Sequence, residues 1–435
     1  MTGHSTPIAQ PWIPAHDTLT NLDFVLDPTR MLPLLRHSDN GIRDCKVVRV
    51  RYKPKSNCVV LYEANGNEGK PLFIYAKLYA EDVAQHVSRH SLYCRYFPEL
   101  RIAVSPYPYD LRLSGLRRAA QPEKAQKILA AAFGTKNPYA LLHSWAGWTL
   151  IGYKPERRCV IRGVYHPDHG QDAALADGQG YFLKFYARHQ GEQTVQRHRY
   201  LAEEGGFDFI VPRPLAYVEK YCALLLEEAE GVPLEQCLSA SKCEAEDALI
   251  AAARALVAWH RLPIALPVTA SADAEIRSAA VGVDSLLGDP ESPARALAEA
   301  LLERVPSAPT ALLHGDFHCR QLILGADGVI RVLDLDELTA GDPANDLAYF
   351  CAHAQTMAVL GEIDADRADW AGRFLVESYQ SMSGRSIPPR RLDWHLSAAL
   401  LREAEQPFRR FHAEWPSKTR ELFTLAQRAW SGHLR

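Results

Sequence analysis

The sequence lacks the patterns that would place it in several large classes of protein. Its nine cysteines, at 45, 58, 94, 159, 222, 237, 243, 319 and 351, are odd in number and never spaced as CxxC. That pattern offers neither a zinc site nor a disulfide framework, and the thiols read as small hydrophobes in a reducing cytoplasm. No run reaches the roughly 18 apolar residues of a spanning helix. The first dozen residues hold no basic segment followed by an apolar one, so they do not read as a secretory signal. An excess of one charge is missing too. With 49 Lys plus Arg against 52 Asp plus Glu the net charge is −3, and nothing advertises nucleic acid or a membrane as a partner. What is present is a 435-residue chain, 47% apolar, long enough for two or three domains.

Within it lies an internal repeat. The segment ArgTyrLysProLysSerAsnCysValVal at 51–60 is matched by GlyTyrLysProGluArgArgCysValIle at 152–161. Each copy continues through a polar loop into a strand with one lysine among apolar neighbours, Lys77 in the first and Lys184 in the second. A polar, helix-compatible stretch follows each, so the repeat predicts hairpin, strand and helix twice. The extra length of the second copy falls in a hairpin tip, where insertion is cheap, and its GlyGlnGly at 178–180 reads as a turn. As a dinucleotide fingerprint that triplet is weak, because no βαβ context follows.

Only the second copy continues into a longer programme. Residues 210–215 read as a Pro-punctuated loop, 222–228 as a buried strand, and 244–262 as an amphipathic helix ending near His260 and Pro263. Further strands are predicted at 310–313, 321–324 and 329–335. The last two flank the Asp327–Gly328 pair, a hairpin signal. After Asp346 the chain reads as helical to its end, with a Pro-rich break at 387–389.

The informative stretch is HisGlyAspPheHisCysArgGln at 314–321, followed by LeuAspLeuAspGlu at 333–337. Phosphoryl transfer needs a carboxylate at the acceptor hydroxyl, ligands for Mg²⁺ on the phosphates, and a cation on the α- and β-phosphates. Asp316 can sit at a loop tip as base, while Gln321 offers a carbonyl oxygen and Asp334 a hard carboxylate to the metal. Lys184, in the other half, is placed to supply the cation. His318 reads either as a hydrogen-bonding loop residue or as a substrate contact.

These segments, with GlyAspProAlaAsnAspLeuAla at 341–348, resemble the signature of the aminoglycoside phosphotransferase and choline-kinase-like family, over roughly residues 145–435. The resemblance implies an α+β, bilobal, protein-kinase-like fold with a β-rich small lobe and a mostly helical large lobe. Here an extra N-terminal, degenerate small-lobe-like domain would precede it. The expected division is 1–140 for that accessory repeat, 141–230 for the small lobe with its hinge, and 231–435 for the large lobe. Carried over by position, Asp316 would be the catalytic base, and Gln321 and Asp334 would bind Mg²⁺. Lys184 would hold the phosphates of ATP, with Glu192 in the next helix pairing to it. Glu227, Glu228 and Ala229 would line the adenine, and Asp342 and Asp346 would be structural.

Two departures stand out. Members usually carry Asn where Gln321 stands, although maltokinase-like sugar kinases look similar in having Gln. The loop LysProGluArgArg at 154–158 has no glycine and cannot approach phosphates through bare backbone, so Arg157 or Arg158 would contribute charge instead. The first copy lacks a hinge-like segment and a catalytic loop, and has Gln85 near where Glu192 stands in the second. It reads as a duplicate that packs on the enzyme or shapes a cleft, not as a second ATP site.

The expected activity is transfer of the γ-phosphate of ATP to a hydroxyl of a small molecule, a sugar or sugar-like metabolite. The alternatives are a nucleotide-binding pseudokinase acting as a regulatory module and an aminoglycoside-resistance kinase. From 361 to 435 the chain has 12 Lys plus Arg against 10 Asp plus Glu, a balance that favours a neutral or anionic acceptor over a polycationic one.

Overall fold

The computed structural model describes residues 19–67, 69–83, 93–119, 121, 145–165, 179–187, 190–204, 208–264, 272–289, 291–307 and 310–433. Two short helices, α1 (Leu22–Leu26) and α2 (Pro28–Leu35), precede an antiparallel sheet in the order β1-β2-β3-β5-β4. Its strands are β1 (Asp44–Lys53), β2 (Asn57–Asn65), β3 (Pro71–Tyr79), β4 (Arg95–Phe97) and β5 (Ile102–Pro106), followed by α3 (Leu116–Ala119). A second sheet, in the order β10-β11-β8-β7-β6, is built from β6 (Trp145–Lys154), β7 (Arg158–Tyr165), β8 (Gln179–Tyr186), β10 (Pro214–Val218) and β11 (Ala223–Glu227). Helix α4 (Gln190–Glu204) and β9 (Phe209–Ile210) lie between β8 and β10 in sequence.

The repeat is visible in the pairing itself. Val59 stands opposite Lys77 in the first sheet, and Val160 stands opposite Lys184 in the second. Both sheets thus use one register for the same YKP-to-lysine pattern. The helix expected after the first copy, with Gln85, lies outside the described residues.

After β11 the chain crosses into the helical part. It forms β12 (Val232–Pro233), α5 (Leu234–Ser239), α6 (Lys242–Trp259), α7 (Ala272–Leu287) and α8 (Pro293–Leu302). Four short strands follow: β13 (Ala311–Leu313), β14 (Leu322–Leu324), β15 (Ile330–Val332) and β16 (Thr339–Gly341). The C-terminal helices are α9 (Ala344–Val359), α10 (Ala365–Ser383), α11 (Pro389–Glu403), α12 (Gln406–Arg409) and α13 (Trp415–Ser431). Helix α6 starts where it does because Ser241 and Glu244 form a reciprocal capping box, which satisfies two otherwise orphan amides. Its face of Ala248, Leu249, Ala252 and Leu256 is buried against the core that carries Phe317, Leu322 and Val332. The expected α+β, two-lobed arrangement is therefore present.

The first sheet is covered on both faces. Val50, Val60 and Tyr62 pack with α1, α2 and, from the helical lobe, Leu286, Phe408 and Trp415. On the other face Val59, Leu61 and Tyr75 pack with Tyr153, Cys159, Ile161 and Leu183 of the second sheet.

Two local expectations fail. Residues 210–215 are not all loop. Phe209–Ile210 run parallel to β15, and Pro214 opens β10, a first strand position where a missing N–H does no harm. Gln179 and Gly180 are strand residues paired with Tyr165 and Val164, not a turn. A Cβ at Gly180 would displace the Glu228 carboxylate. All nine cysteines are free thiols; five are buried and Cys243 is exposed. Among the described residues no helix is long and apolar enough to cross a membrane.

Candidate active site

The loop after β13 is fixed from below by a buried carboxylate. Asp346, wholly buried on the first turn of α9, accepts from the backbone N–H of His314 at 2.8 Å and of Gly315 at 2.9 Å. His260 Nε2 approaches the same side chain at 3.1 Å, and His260 Nδ1 meets the Tyr379 hydroxyl at 2.9 Å. Gly315 has φ +79, and a Cβ there would stand 2.2 Å from the carbonyl oxygen of Glu337, so only glycine allows this close approach. His314 Nδ1 accepts from Asp316 N at 3.3 Å, which leaves Nε2 to donate to the Leu333 carbonyl at 2.8 Å. Asp342 accepts from the N–H of Ala344, the first residue of α9, at 2.9 Å and faces His395 and Arg391. Asp342 and Asp346 thus hold loop and helix start as expected of them.

Asp316 rises from this platform. His318 Nδ1 accepts from Arg320 N at 3.2 Å, so its proton sits on Nε2, which points at Asp316 Oδ2 from 3.7 Å. The His318 ring stacks on His353 with centroids 4.1 Å apart, which sets its plane. Burial alone would raise the Asp316 carboxyl, but the neighbouring His318 outweighs it and holds the group below the usual carboxylate range. His318 therefore orients a carboxylate that is ready to accept a proton.

The hairpin ends at Asp334, held in left-handed backbone with φ 59. The next turn brings Asp336 beside it. Lys184, 6% exposed, places Nζ 2.8 Å from Asp334 Oδ1 and 3.1 Å from Asp336 Oδ1. Arg158 at the start of β7 bonds Asp334 Oδ1 at 2.8 Å and also reaches Asp336. Tyr186 and Thr194 donate hydroxyls to Asp336, and Arg197 donates to the carbonyls of Leu335 and Asp336. Burial pushes Asp334 up, but the charges of Lys184 and Arg158 overcome this and hold it well below its ordinary value. Gln321 Nε2 lies 3.4 Å from Asp334 Oδ2. A half-turn of that carboxamide exchanges nitrogen for oxygen, so Gln321 and Asp334 can present two hard donors to one ion. Among the described residues no group of three or more His, Cys, Asp or Glu forms a metal cage by itself.

Glu192 requires a correction. It is exposed on the first turn of α4, and the carboxylates on Lys184 are Asp334 and Asp336. The helix buries Thr194, Arg197 and His198 instead, and Glu192 falls on its outer side. Asp336, two residues after Asp334, was not singled out from sequence; the AspLeuAsp spacing was the available signal. Glu227 closes β11 and Glu228 follows it, and their side chains are engaged by Arg213 and Arg162 respectively. Ala229 is half-buried. Gly231, with φ +139, follows where a Cβ would stand 2.2 Å from the Leu324 carbonyl oxygen.

A cavity of about 390 Å³ opens beside Gly315, the residue before Asp316, and Glu337, between β13–β16 and helices α7 and α11. Its ionisable lining is Glu275, Glu337, Asp342, His395 and Arg402. Arg402 pairs with Glu275 at 3.2 Å, and Asp342 is paired as above. Among the described residues Glu337 has no ion pair, and burial together with nearby Asp316 raises its carboxyl above the usual value. Locally the cavity is acidic, which the charge count over 361–435 did not show. Trp394, buried in α11, forms part of its wall and donates Nε1–H to the Leu301 carbonyl at 2.9 Å.

No curated protein matches the sequence significantly. An ethanolamine kinase of Plasmodium vivax superposes with a TM-score of 0.50 at 11% identity, over 73% of this chain and 94% of that one. An aminoglycoside phosphotransferase of Streptomyces rimosus shares 22% identity with a TM-score of 0.45, over 64% and 98% of the two chains. A choline/ethanolamine kinase family protein of Mesorhizobium loti shares 15% identity with a TM-score of 0.46, over 72% and 97%. Residues 171–385 match the model of a family described as the phosphotransferase enzyme family. That stretch contains the Lys184 strand, the Asp316 loop and the Asp334 turn, and over it the chain resembles the phosphotransferase enzyme family.

Proposed function

We propose that this protein transfers the γ-phosphate of ATP to a hydroxyl of a small polyhydroxylated molecule, a sugar or sugar-like metabolite. The observation that carries this reading is the position of Asp316. It follows Gly315 of the cavity wall and lies close enough to Asp334 of the cation–carboxylate cluster and to Glu337 of the 390 Å³ cavity to interact electrostatically with both. Lys184 and Arg158, resting on carboxylates here, are the cations that would turn to the phosphates of ATP. The main chain at 227–229 would meet the adenine, because the glutamate side chains are engaged elsewhere. Asp334 and Gln321 would hold Mg²⁺, which when bound offsets negative charge on the phosphates.

In the step itself, Asp316 takes the proton of the acceptor hydroxyl as that oxygen bonds to the γ-phosphorus. The bond from the γ-phosphorus to the bridging oxygen breaks, and ADP leaves. His318 keeps the carboxylate oriented and ionised for that proton. Cavity volume suits a mono- or disaccharide-sized acceptor, within the roughly 300–1,000 Å³ of small-molecule sites.

One observation favours a second reading. Glu337 on the cavity wall, which has no ion pair among the described residues, would suit an amino group, as on an aminoglycoside or an amino alcohol, and disfavours an anionic acceptor. On either reading Glu337→Ala is expected to raise the KM of the acceptor roughly tenfold while the KM of ATP holds. Initial rates with each substrate varied in turn give both numbers.

The test of the reading is acceptor-dependent release of ADP, with product mass measured, across a panel of sugars, amino sugars and amino alcohols. Stoichiometric ATP binding without turnover on any of them would favour the pseudokinase alternative.

A further inference from the structure

The turn between β6 and β7 is gripped from outside its own sheet. Glu156 at its tip is 3% exposed and has φ 62, a left-handed conformation that glutamate adopts unwillingly. Its carboxylate receives Lys77 Nζ at 2.9 and 2.8 Å and Arg51 Nη2 at 3.0 Å, both from the N-terminal sheet. Arg51 Nη1 also bonds the Pro155 carbonyl at 3.0 Å. Asp110 accepts the Glu156 backbone N–H at 2.8 Å and the Tyr153 hydroxyl at 2.8 Å. Lys77 occupies in the first sheet the register position that Lys184 occupies in the second, yet its partner is a protein carboxylate on a turn of the other copy.

That turn crowds cations together. Lys154, Arg157 and Arg158 lie within five residues, and Arg49 on β1 lies close by. Among the described residues Lys154, Arg157 and Arg49 form no ion pair. Burial and the neighbouring cations push Lys154 down to about 8 and Arg49 to about 10. Arg158 already reaches Asp334, and Lys154 feels the charges of Asp334 and Asp316. Like charges at this density would drive a free turn outward, and the grip on Glu156 opposes that.

We propose that the N-terminal sheet is a positioning device for the phosphates of ATP. Lys77 and Arg51, through Glu156, hold the 155–157 turn so that Lys154 and Arg158 form a cationic cradle, to which Arg49 contributes from β1. This cradle takes the place of a glycine-rich loop. Lys77 is thus a positioning residue that touches no substrate, and the inference rests on the function proposed above.

Calorimetric titration of the full-length protein with ATP in the presence of Mg²⁺, together with steady-state kinetics, tests it. Lys77→Met is expected to weaken ATP binding roughly tenfold while kcat at saturating ATP and the acceptor KM stay within about twofold. Lys77→Arg should restore most of the affinity, and Glu156→Gln should weaken it in the same direction. If Lys77→Met does not fold, Glu156→Gln decides by the same readings. Unchanged ATP affinity in folded variants overturns the inference and leaves the proposed function standing. Equal losses in ATP affinity, acceptor KM and kcat would also overturn it, by showing a general structural role. A wild-type protein that binds no ATP sinks the proposed function itself, and this inference with it.

Discussion

Asp316→Asn is expected to lower kcat by about 10²–10⁴-fold and to leave ATP binding within about twofold. Asparagine preserves the shape of the loop tip and can still sit beside His318, but it cannot accept the hydroxyl proton. The loop itself does not depend on this side chain, because His314 and Gly315 are held by Asp346 through their backbone. Single-turnover and steady-state rates beside calorimetric ATP binding separate the two effects. A variant that keeps more than about a tenth of wild-type kcat would remove Asp316 from the role of base.

The pH dependence follows from the same geometry. A general base works when ionised, so kcat falls as pH drops through its pKa. Because His318 holds Asp316 below the usual carboxylate range, the acid limb of the wild-type profile should lie below that of an ordinary aspartate. His318→Ala removes the interaction that favours the charged form, while burial still penalises it. The acid limb should then move to higher pH, measured as kcat across pH 4 to 8 on the order of half-unit steps.

Asp346→Ala is expected to cost about 3–5 kcal/mol of stability, on the scale of removing one partner from a buried charged network. Three donors lose their acceptor at once: His314 N, Gly315 N and, through Nε2, His260. None can turn to water, since Asp346 and His314 are fully buried and His260 is 4% exposed. Urea titration against wild type reads the loss. A cost under about 1 kcal/mol would mean that the loop finds other partners and that Asp346 is not its anchor. Activity should fall along with stability, because the same bonds fix the angle at which Asp316 leaves the platform.

The catalytic loop and the hairpin behind it were legible because their signals are local. Asp327–Gly328 makes the turn with Gly328 at φ 72, and β14 and β15 pair across it. The repeat was legible for a related reason: a shared pattern of tyrosine, cysteine and lysine enforces a shared strand register. What could not be read are partners set by tertiary packing. Lys184 meets Asp336 across 152 positions of chain, and Lys77 meets Glu156 across 79. Glu192 sits in the right helix, yet which face of α4 turns inward is decided by burial of Leu201, Val195 and His198, and that face excludes it. The charge of the cavity beside Gly315 was hidden because Glu275 and Glu337 come from segments outside the window that was counted.

The N-terminal sheet touches both halves of the catalytic cleft, and that has a mechanical meaning. Swinging the lobes about Gly231 would pull the sheet away either from Leu286, Phe408 and Trp415 or from Tyr153, Cys159 and Ile161. Each large apolar side chain exposed costs about 1.5–3 kcal/mol, so a wide opening is steeply uphill. The cleft is therefore a fixed aperture more than a jaw.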